Sequence, residues 1–389
     1  MVGGKRKIIG MNPLIKNRFS IGVLFLLCGL NFATWATRIP DFKYLLHLTD
    51  AELGTVLMGL PFGSLVSLPL AGWLISKFNS RNICIVAVLL YILIIPIISY
   101  SMNSYMLFIC LFFFGMAGDI LNIAMNTQVV ALEAKMNKII MSSFHAIFSI
   151  GLMVGALLGG YISRLGFDIQ NHFYFIAGLN LVAIPIFYPN LLQDGSQTVD
   201  ENKAKSSILN LGRYLTILAL VAFCGMLCEG AMADWITLYF KENVSTNSYA
   251  TTIGFSSFAL AMVIGRFTGD YISRNFGVSN ILTLNGLLIS IGMLITLFIP
   301  SIEFKIMGCF LTGLGISTIV PLIYSQAGNQ KNIEPAIAIA GVSTIAYIGF
   351  LIGPVVIGYL ADFFNLQSAL MLLIILGVVA SFVANKYIK

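Results

Sequence analysis

The stretch GLMVGALLGGY, residues 151–161, recurs as GFLIGPVVIGY, residues 349–359, in the second half of the chain. Both copies are apolar, and each belongs to a hydrophobic run longer than the roughly 20 residues that a helix needs to cross a bilayer. Other matches follow at the same displacement to within two residues. They are Cys28–Gly29 with Cys224–Gly225, GWLISK from Gly72 with GDYISR from Gly269, and Gly115 with Gly313. The repeat predicts two halves built on one plan.

Composition indicates a membrane protein. Only 10% of the 389 residues are charged and 58% are hydrophobic, with a mean hydropathy of +0.92, whereas soluble domains carry about 25% charged residues. The hydrophobic runs are too long and continuous for the roughly ten-residue alternating strands of a membrane barrel. The sequence therefore predicts an all-α membrane protein with twelve transmembrane helices, at 19–38, 51–76, 82–100, 104–132, 139–163, 171–189, 212–240, 249–273, 278–299, 304–328, 335–361 and 366–387.

One long polar stretch divides these segments into two sets of six. PNLLQDGSQTVDENKAKSS, residues 189–207, is rich in the Gly, Ser, Asp and Lys that suit a flexible linker. We expect a six-helix bundle over residues 1–189, a cytoplasmic linker over 190–211 and a pseudo-symmetric six-helix bundle over 212–389.

The distribution of basic residues predicts the orientation. With the N-terminus in the cytoplasm, all 22 basic residues, Arg266 and Arg274 among them, fall on the inner side except Arg38, Lys43, Arg164, Lys241 and Lys305. This agrees with the positive-inside rule for a bacterial inner membrane, with both termini cytoplasmic. The first hydrophobic run is interpreted as a retained helix, because no small-residue cleavage site follows it. The net charge of +6 then reflects this asymmetry and gives no reason to expect nucleic acid.

Several function classes lack their usual patterns. The chain has no Gly-x-x-x-x-Gly-Lys-Ser/Thr phosphate-binding loop. It also shows no Ser–His–Asp order and no metal-ligand spacing, and its six cysteines all fall within hydrophobic segments, where free thiols are expected. We therefore expect a protein that is not an enzyme and has no cofactor and no metal.

The chain resembles the major facilitator superfamily along essentially its whole length. The loop after span two, GWLISKFNSR, keeps Gly72, Leu74, Lys77 and Arg81 of that family's loop pattern but has Ser76 in place of its aspartate. The second copy, GRFTGDYISRNFG, keeps Asp270, Arg274 and Gly277. More narrowly, ATWATRIPDF, GDILNIAMNTQ, SFHAIFSIG and CEGAMADW are similar to the MosC-like branch, that of the rhizopine transport protein. The resemblance implies the major facilitator fold, a substrate site between the halves, and gate roles for Gly72, Lys77, Arg81, Asp270 and Arg274.

A polar stripe lies in span four. Asp119 falls near the middle of the span, and Asn122 and Asn126 follow on roughly the same helix face. A carboxylate at the centre of the bilayer costs about 2.5–3.5 kcal/mol on insertion scales. The stripe therefore predicts substrate or proton binding in a cavity, and a structural hydrogen-bond network between helices is the alternative.

Two further residues are candidates for proton coupling. Glu229 lies deep in span seven, and its burial is expected to let it exchange protons near neutral pH. A permanently protonated or hydrogen-bonded structural acid is the alternative. His145, near the start of span five, could relay protons or make a structural hydrogen bond at an interface.

Other polar or aromatic residues could line the cavity. Asn31 and Trp35 share one face of span one, and spans ten and eleven offer hydroxyl, amide and phenol groups. The predicted substrate-binding residues are Asn31, Trp35, Asn122, Asn126, Ser317, Gln326 and Tyr347. Packing is the alternative for Asn31 and Trp35.

A gate is expected at the outer ends of spans one and seven. Asp234 maps onto Arg38 by the repeat, and opposite charges at equivalent positions predict an ion pair that links the halves when the outer gate is closed. Local hydrogen bonds for each are the alternative.

These features together predict a secondary active transporter that moves a small polar solute by alternating access, with proton coupling. The alternatives are a multidrug or metabolite efflux proton antiporter, a lipid or amphiphile flippase, and a membrane sensor that transports nothing. The expected partners are a small-molecule substrate, protons and the lipid bilayer, and the expected state is a monomer.

Overall fold

The computed structural model describes residues 13–137, 140–193, 212–244, 248–330 and 335–388. The side chains of Asp270 and Arg274 lie outside the described residues, and so do residues 194–211 of the predicted linker. The boundary between the two halves therefore stays a prediction.

The described residues form helices joined by short turns, and twelve helical segments are long and apolar enough to cross a membrane. This confirms the predicted fold class. A 3₁₀ turn, Tyr188–Asn190, follows span six. In chain order the spans are Pro13–Ala36 with Ile39–Leu45 (one), Asp50–Leu57 with Gly59–Phe78 (two), Ser80–Ile98 (three), Ser104–Met136 (four), Met141–Arg164 (five), Ile169–Phe187 (six), Arg213–Asn243 (seven), Ser248–Phe276 (eight), Val278–Phe298 (nine), Ile302–Ser317 with Ile319–Gly328 (ten), Pro335–Phe363 (eleven) and Leu366–Tyr387 (twelve).

Prolines explain the breaks in spans two and ten. Pro61 lacks the N–H that would bond the carbonyl of Leu57, where the first helix of span two ends. Pro321 lacks the N–H for the carbonyl of Ser317, where the first helix of span ten ends. Both breaks lie beside the central cavity, so they shape its wall.

The two halves repeat the same internal contacts. Gly151 of span five packs on the backbone of Leu26 and Leu30 in span one, and Gly349 of span eleven packs in the same way on Phe223 and Leu227 in span seven. A side chain at either glycine would collide with that backbone. Gly151, Gly155 and Gly159 of span five, which all meet span one, therefore serve close packing within the first half.

The halves meet on the side of the membrane away from the termini, here called the far side. A Cβ at Gly54 in span two would lie 2.5 Å from the carbonyl oxygen of Pro354 in span eleven. Gly160 near the end of span five touches the side chain of Thr252 near the start of span eight. These close contacts hold the halves together on the far side and leave space between them nearer to the termini.

Candidate functional site

A cavity of about 550 Å³ lies between the two halves. It reaches from the middle of the spans towards the terminal side, as far as Met141 at the start of span five and Tyr324 near the end of span ten. Its polar lining residues are Cys28, Ser64, Tyr91, Asp119, Asn122, His145, Glu229, Arg266, Thr318, Tyr324 and Tyr347.

The first half contributes one uncompensated carboxylate. Asp119 is 9% exposed and accepts a hydrogen bond of 2.8 Å from the hydroxyl of Ser67 in span two. Among the described residues no cation forms an ion pair with it. Asn122 lines the cavity one turn further along, and Tyr91, stacked on Phe114 with 4.3 Å between ring centres, closes the wall. This corner can accept a proton or hydrogen-bond donors from a solute.

The second half contributes a carboxylate that is already paired. Glu229 of span seven accepts a hydrogen bond of 3.1 Å from Nη2 of Arg266 in span eight. Nη1 of the same guanidinium donates to the hydroxyl of Ser149 in span five, at 2.7 Å. Arg266, which lies within the predicted span 249–273 and was counted with the inner-side residues, belongs to span eight, and its side chain lines the cavity. The residue pattern gave a weak signal for this, since an arginine within a predicted span indicates a functional site by default.

His145 and Tyr347 complete the ring of polar groups. The imidazole of His145 lies edge-on to Phe25 with 5.6 Å between ring centres, and it faces the cavity. Tyr347 of span eleven reaches across to Ser64 and Asp119 of the first half. Both residues are therefore placed where a bound solute could touch them.

Two candidates in span one lie away from the cavity. The amide of Asn31 accepts from Asn180 of span six at 2.5 Å and donates to the carbonyl of Leu27. Trp35 is 1% exposed and packs against Phe42. These contacts match the packing alternative, and in this structure neither residue lines the cavity.

Three more candidates also lie outside the cavity lining. Asn126 bonds back to Asn122 one turn earlier, Ser317 bonds to the carbonyl of Leu314, and Gln326 accepts from the phenol of Tyr214. The predicted stripe in span four thus continues only from Asp119 to Asn122 along the cavity.

The predicted ion pair between Arg38 and Asp234 is wrong for this structure. Arg38 binds within its own half, to Asp41 at 2.9 Å, to Nδ1 of His172 at 2.9 Å and to the carbonyl of Phe167 at 3.0 Å. Asp234 is buried, and no hydrogen bond or ion pair reaches it from the described residues. Arg38 turns away because a buried guanidinium needs several acceptors, and Asp41 of span one, the carbonyl of Phe167 before span six and His172 of span six supply them.

Other residues form the charged contacts between the halves on the far side. Lys241 pairs with Asp41 at 2.6 Å. Lys43 pairs with Glu242 of the other half and with Asp50 of its own half, both at 2.7 Å. We call Asp41, Lys43, Lys241 and Glu242 the far-side clamp. At the end of span one the acid Asp41 precedes the base Lys43, whereas at the end of span seven the base Lys241 precedes the acid Glu242. This reversed order of charge is the sequence pattern that could have predicted the clamp.

The expected loop after span two is mostly helical, because Gly72 and Lys77 lie in the helix Gly59–Phe78 and Arg81 in the helix Ser80–Ile98. These residues make local contacts. Lys77 lies 4.9 Å from the ring centre of Trp73, and Arg81 lies over Tyr188 and donates to its carbonyl. Gly72 is exposed. The contacts described for this loop stay within the first half, while the side chains of Asp270 and Arg274 lie outside the described residues.

Between its polar corners the cavity wall is apolar. Aromatic and methionine side chains supply it: Phe25, Phe32, Phe114, Phe148, Phe350, Met125, Met141 and Met226. Such a wall with a few convergent polar groups is typical of small-molecule sites.

Twelve spans in two similar halves around a polar-cornered cavity define a membrane transporter. The sequence pattern of the Major Facilitator Superfamily matches residues 21–332, and the chain belongs to this family. It is 32% identical to the membrane protein MosC of Rhizobium meliloti over 363 residues, 93% of this chain and 88% of MosC.

Two more comparisons agree. The chain is 31% identical over 375 residues to an uncharacterized MFS-type transporter of Yersinia pestis, covering 95% of this chain and 96% of that one. The crystal structure of the nucleoside transporter NupG superposes with a TM-score of 0.74 at 14% identity, covering 97% of this chain and 100% of NupG. At this identity the likeness to NupG shows the fold alone.

Proposed function

We propose that this chain moves a small polar solute across a bacterial inner membrane by alternating access and couples that movement to protons. The observation that carries the proposal is the placement of two acids, Asp119 and Glu229, on opposite halves of one central cavity. Acids within hydrophobic spans are costly and rare, and those that occur usually mark an ion or substrate pathway. Both of these acids face the space where a solute and a proton would bind.

The roles divide by the charge that surrounds each acid. Glu229 forms an ion pair with Arg266. Protonation of Glu229 removes this ion pair and leaves a neutral acid beside an arginine that stays charged. Among the described residues, the polar groups beside Asp119 carry no positive charge: they are the hydroxyls of Ser67 and Tyr347, the amide of Asn122 and the thiol of Cys28. We assign Glu229, with His145 nearby, to proton coupling. We assign Asp119, Asn122 and Tyr347 to the solute, and a proton on Asp119 can neutralise it when no solute is bound.

The basic residues on the terminal side support cytoplasmic termini. Lys16, Arg18, Lys77, Arg81 and Lys386 all lie at the ends of spans on that side. With this orientation the described conformation faces inward, and the far-side clamp closes the outer side. One chain encloses the whole cavity, which favours a monomer as the transport unit.

Transport in proteoliposomes tests the proposal. Labelled solutes should show counterflow, and a pH gradient should drive accumulation. Glu229→Gln should abolish gradient-driven accumulation but keep counterflow, because exchange needs no net proton transfer. Asp119→Asn should weaken binding in both assays. Asp362→Asn, which changes an exposed acid at the end of span eleven, is the matched control. Gradient-driven accumulation by both cavity variants would contradict the proton assignment.

Efflux of amphiphilic compounds by proton antiport is a second candidate, and the apolar part of the cavity wall favours it. Phenylalanine and methionine side chains accommodate varied apolar groups. The same vesicles separate the two functions. In an antiporter, protons and compound compete for the acids, so acidification should weaken binding of the compound, whereas in a symporter it should strengthen binding.

A further inference from the structure

Arg266 joins three spans at the edge of the cavity. Its guanidinium belongs to span eight and reaches Glu229 of span seven with Nη2 and Ser149 of span five with Nη1. Glu229 and Arg266 belong to the second half and Ser149 to the first. The bond to Ser149 therefore crosses between the halves at the level of the cavity, at some distance from the far-side clamp.

The hydroxyl of Ser149 is well placed to hold a cation. Ser149 is fully buried, and its own proton points to the carbonyl of His145 one turn earlier, at 3.2 Å. Its oxygen is thus free to accept from Arg266. A hydrogen bond with one charged partner contributes about 1.5–3 kcal/mol of stability, which is more than a bond between two neutral groups contributes.

The position of the guanidinium depends on the charge of Glu229. A carboxylate at 3.1 Å draws one edge of the planar group, and the opposite edge then points to span five. A protonated Glu229 would exert no such pull. The other titratable groups that line the cavity are Cys28, Tyr91 and Asp119 of the first half, His145 of span five, and Tyr324 and Tyr347 of the second half. Of these, only Asp119 could offer Arg266 another negative charge.

We propose that Arg266 is a positioning residue that ties the charge of Glu229 to the relative position of the two halves. While Glu229 is ionised, the ion pair holds Arg266 on Ser149 and favours the described conformation. When a proton neutralises Glu229, the bond between spans five and eight weakens and the far side opens more readily. This inference rests on the proposed proton coupling.

The test measures opening on the far side. Spin labels at Met102→Cys and Phe363→Cys, which replace exposed residues at the far-side ends of the two halves, report the distance between the halves by electron paramagnetic resonance. The unlabelled native chain is the background, since its six cysteines are buried. In the labelled protein, acidification should raise the fraction with a long distance.

Three variants separate the steps. Ser149→Ala keeps the ion pair but removes the acceptor, so the closed-to-open ratio at high pH should fall roughly tenfold. Arg266→Gln should show the same fall and lose the pH response. Arg266→Lys should recover part of both, because an ammonium can reach only one partner well. Arg213→Gln, an exposed arginine at the start of span seven, is the control, and thermal unfolding shows whether each variant is folded.

The outcomes are distinguishable. If the native protein responds to pH while Ser149→Ala keeps both the native ratio and the native response, the role of Arg266 is refuted and proton coupling survives. If the native protein shows no response to pH while Glu229→Gln loses gradient-driven accumulation, this inference alone fails. If the native protein shows no response and Glu229→Gln keeps gradient-driven accumulation, the proposed function fails and this inference fails with it.

Discussion

The far-side clamp offers a quantitative prediction about the closed state. Lys241 and Glu242 each pair with a residue of the other half, at 2.6 and 2.7 Å, with side chains that are 12–29% exposed. Replacing both by glutamine removes the two pairs between the halves. It leaves Asp41 with Arg38 and Lys43 with Asp50, so no charge of the first half loses all its partners. Because the variant loses one charge of each sign, the net charge is unchanged.

The expected size follows from the exposure of the pairs. An exposed ion pair contributes about 0.2–1 kcal/mol, and these pairs lie at the upper end because they are partly buried. Two such pairs stabilise the closed far side by about 1–2 kcal/mol, which corresponds to a roughly 5- to 30-fold change in the closed-to-open ratio. Lys241→Gln/Glu242→Gln should lower the ratio by that factor.

Spin-label distances between Met102→Cys and Phe363→Cys provide the assay. The matched control is Arg164→Gln/Glu303→Gln, which removes one basic and one acidic residue on the same side of the membrane. Arg164 is exposed, and Glu303 accepts a hydrogen bond from the nearby Ser301. At 1 M salt, where the screening length is about 3 Å, the difference between clamp variant and native chain should shrink. A clamp variant that stays within twofold of the native ratio, or matches the control, would refute the reasoning.

Three further predictions concern packing and the corrected contacts. Gly54→Ala should open the far side, because its Cβ would lie 2.5 Å from the carbonyl oxygen of Pro354, whereas Gly178→Ala meets nothing within 4 Å; equal spin-label distances in both variants would contradict this. Asn31→Leu should lower unfolding stability by about 1 kcal/mol, since it leaves the buried amide of Asn180 without its acceptor, and Asn31→Leu/Asn180→Leu should recover part of it in thermal unfolding. Because Arg38 and Asp234 do not pair, a double-mutant cycle between Arg38→Gln and Asp234→Asn should give a coupling energy below about 0.5 kcal/mol, and a larger value would restore the ion pair.

Depth along a span was enough to find residues that line the cavity, and the roles of those residues stay predictions. Asp119 and Glu229 were chosen because a carboxylate in the middle of a hydrophobic span needs a reason, and both line the cavity. Site prediction failed where rotation and partners decided. Asn31 lies on a helix like Asp119, yet it faces Asn180, a residue of span six that nothing in the local sequence connects to it.

Charge complementarity was expected in the right region but assigned to the wrong residues. The repeat correctly pointed to the far-side ends of spans one and seven, where oppositely charged residues of the two halves do meet. It selected Arg38 and Asp234, although the pairs are made by residues at or beyond the ends of those spans. The first helix of span one ends at Ala36 and a short helix, Ile39–Leu45, follows, whereas span seven is one unbroken helix. The repeat offset therefore no longer matches equivalent positions at these ends.

The amino-acid sequence by itself determined the class, the twelve spans and the internal duplication. Hydrocarbon imposes one strong requirement, about 20 apolar residues per helix, and that requirement can be read locally. Only the tertiary structure decided which polar groups share the cavity and which bind a neighbouring helix. Each residue turns a helix by about 100°, and buried donors take whichever acceptor the packing brings near, so the partners of Arg38, Asn31 and Arg266 follow from the arrangement of distant spans.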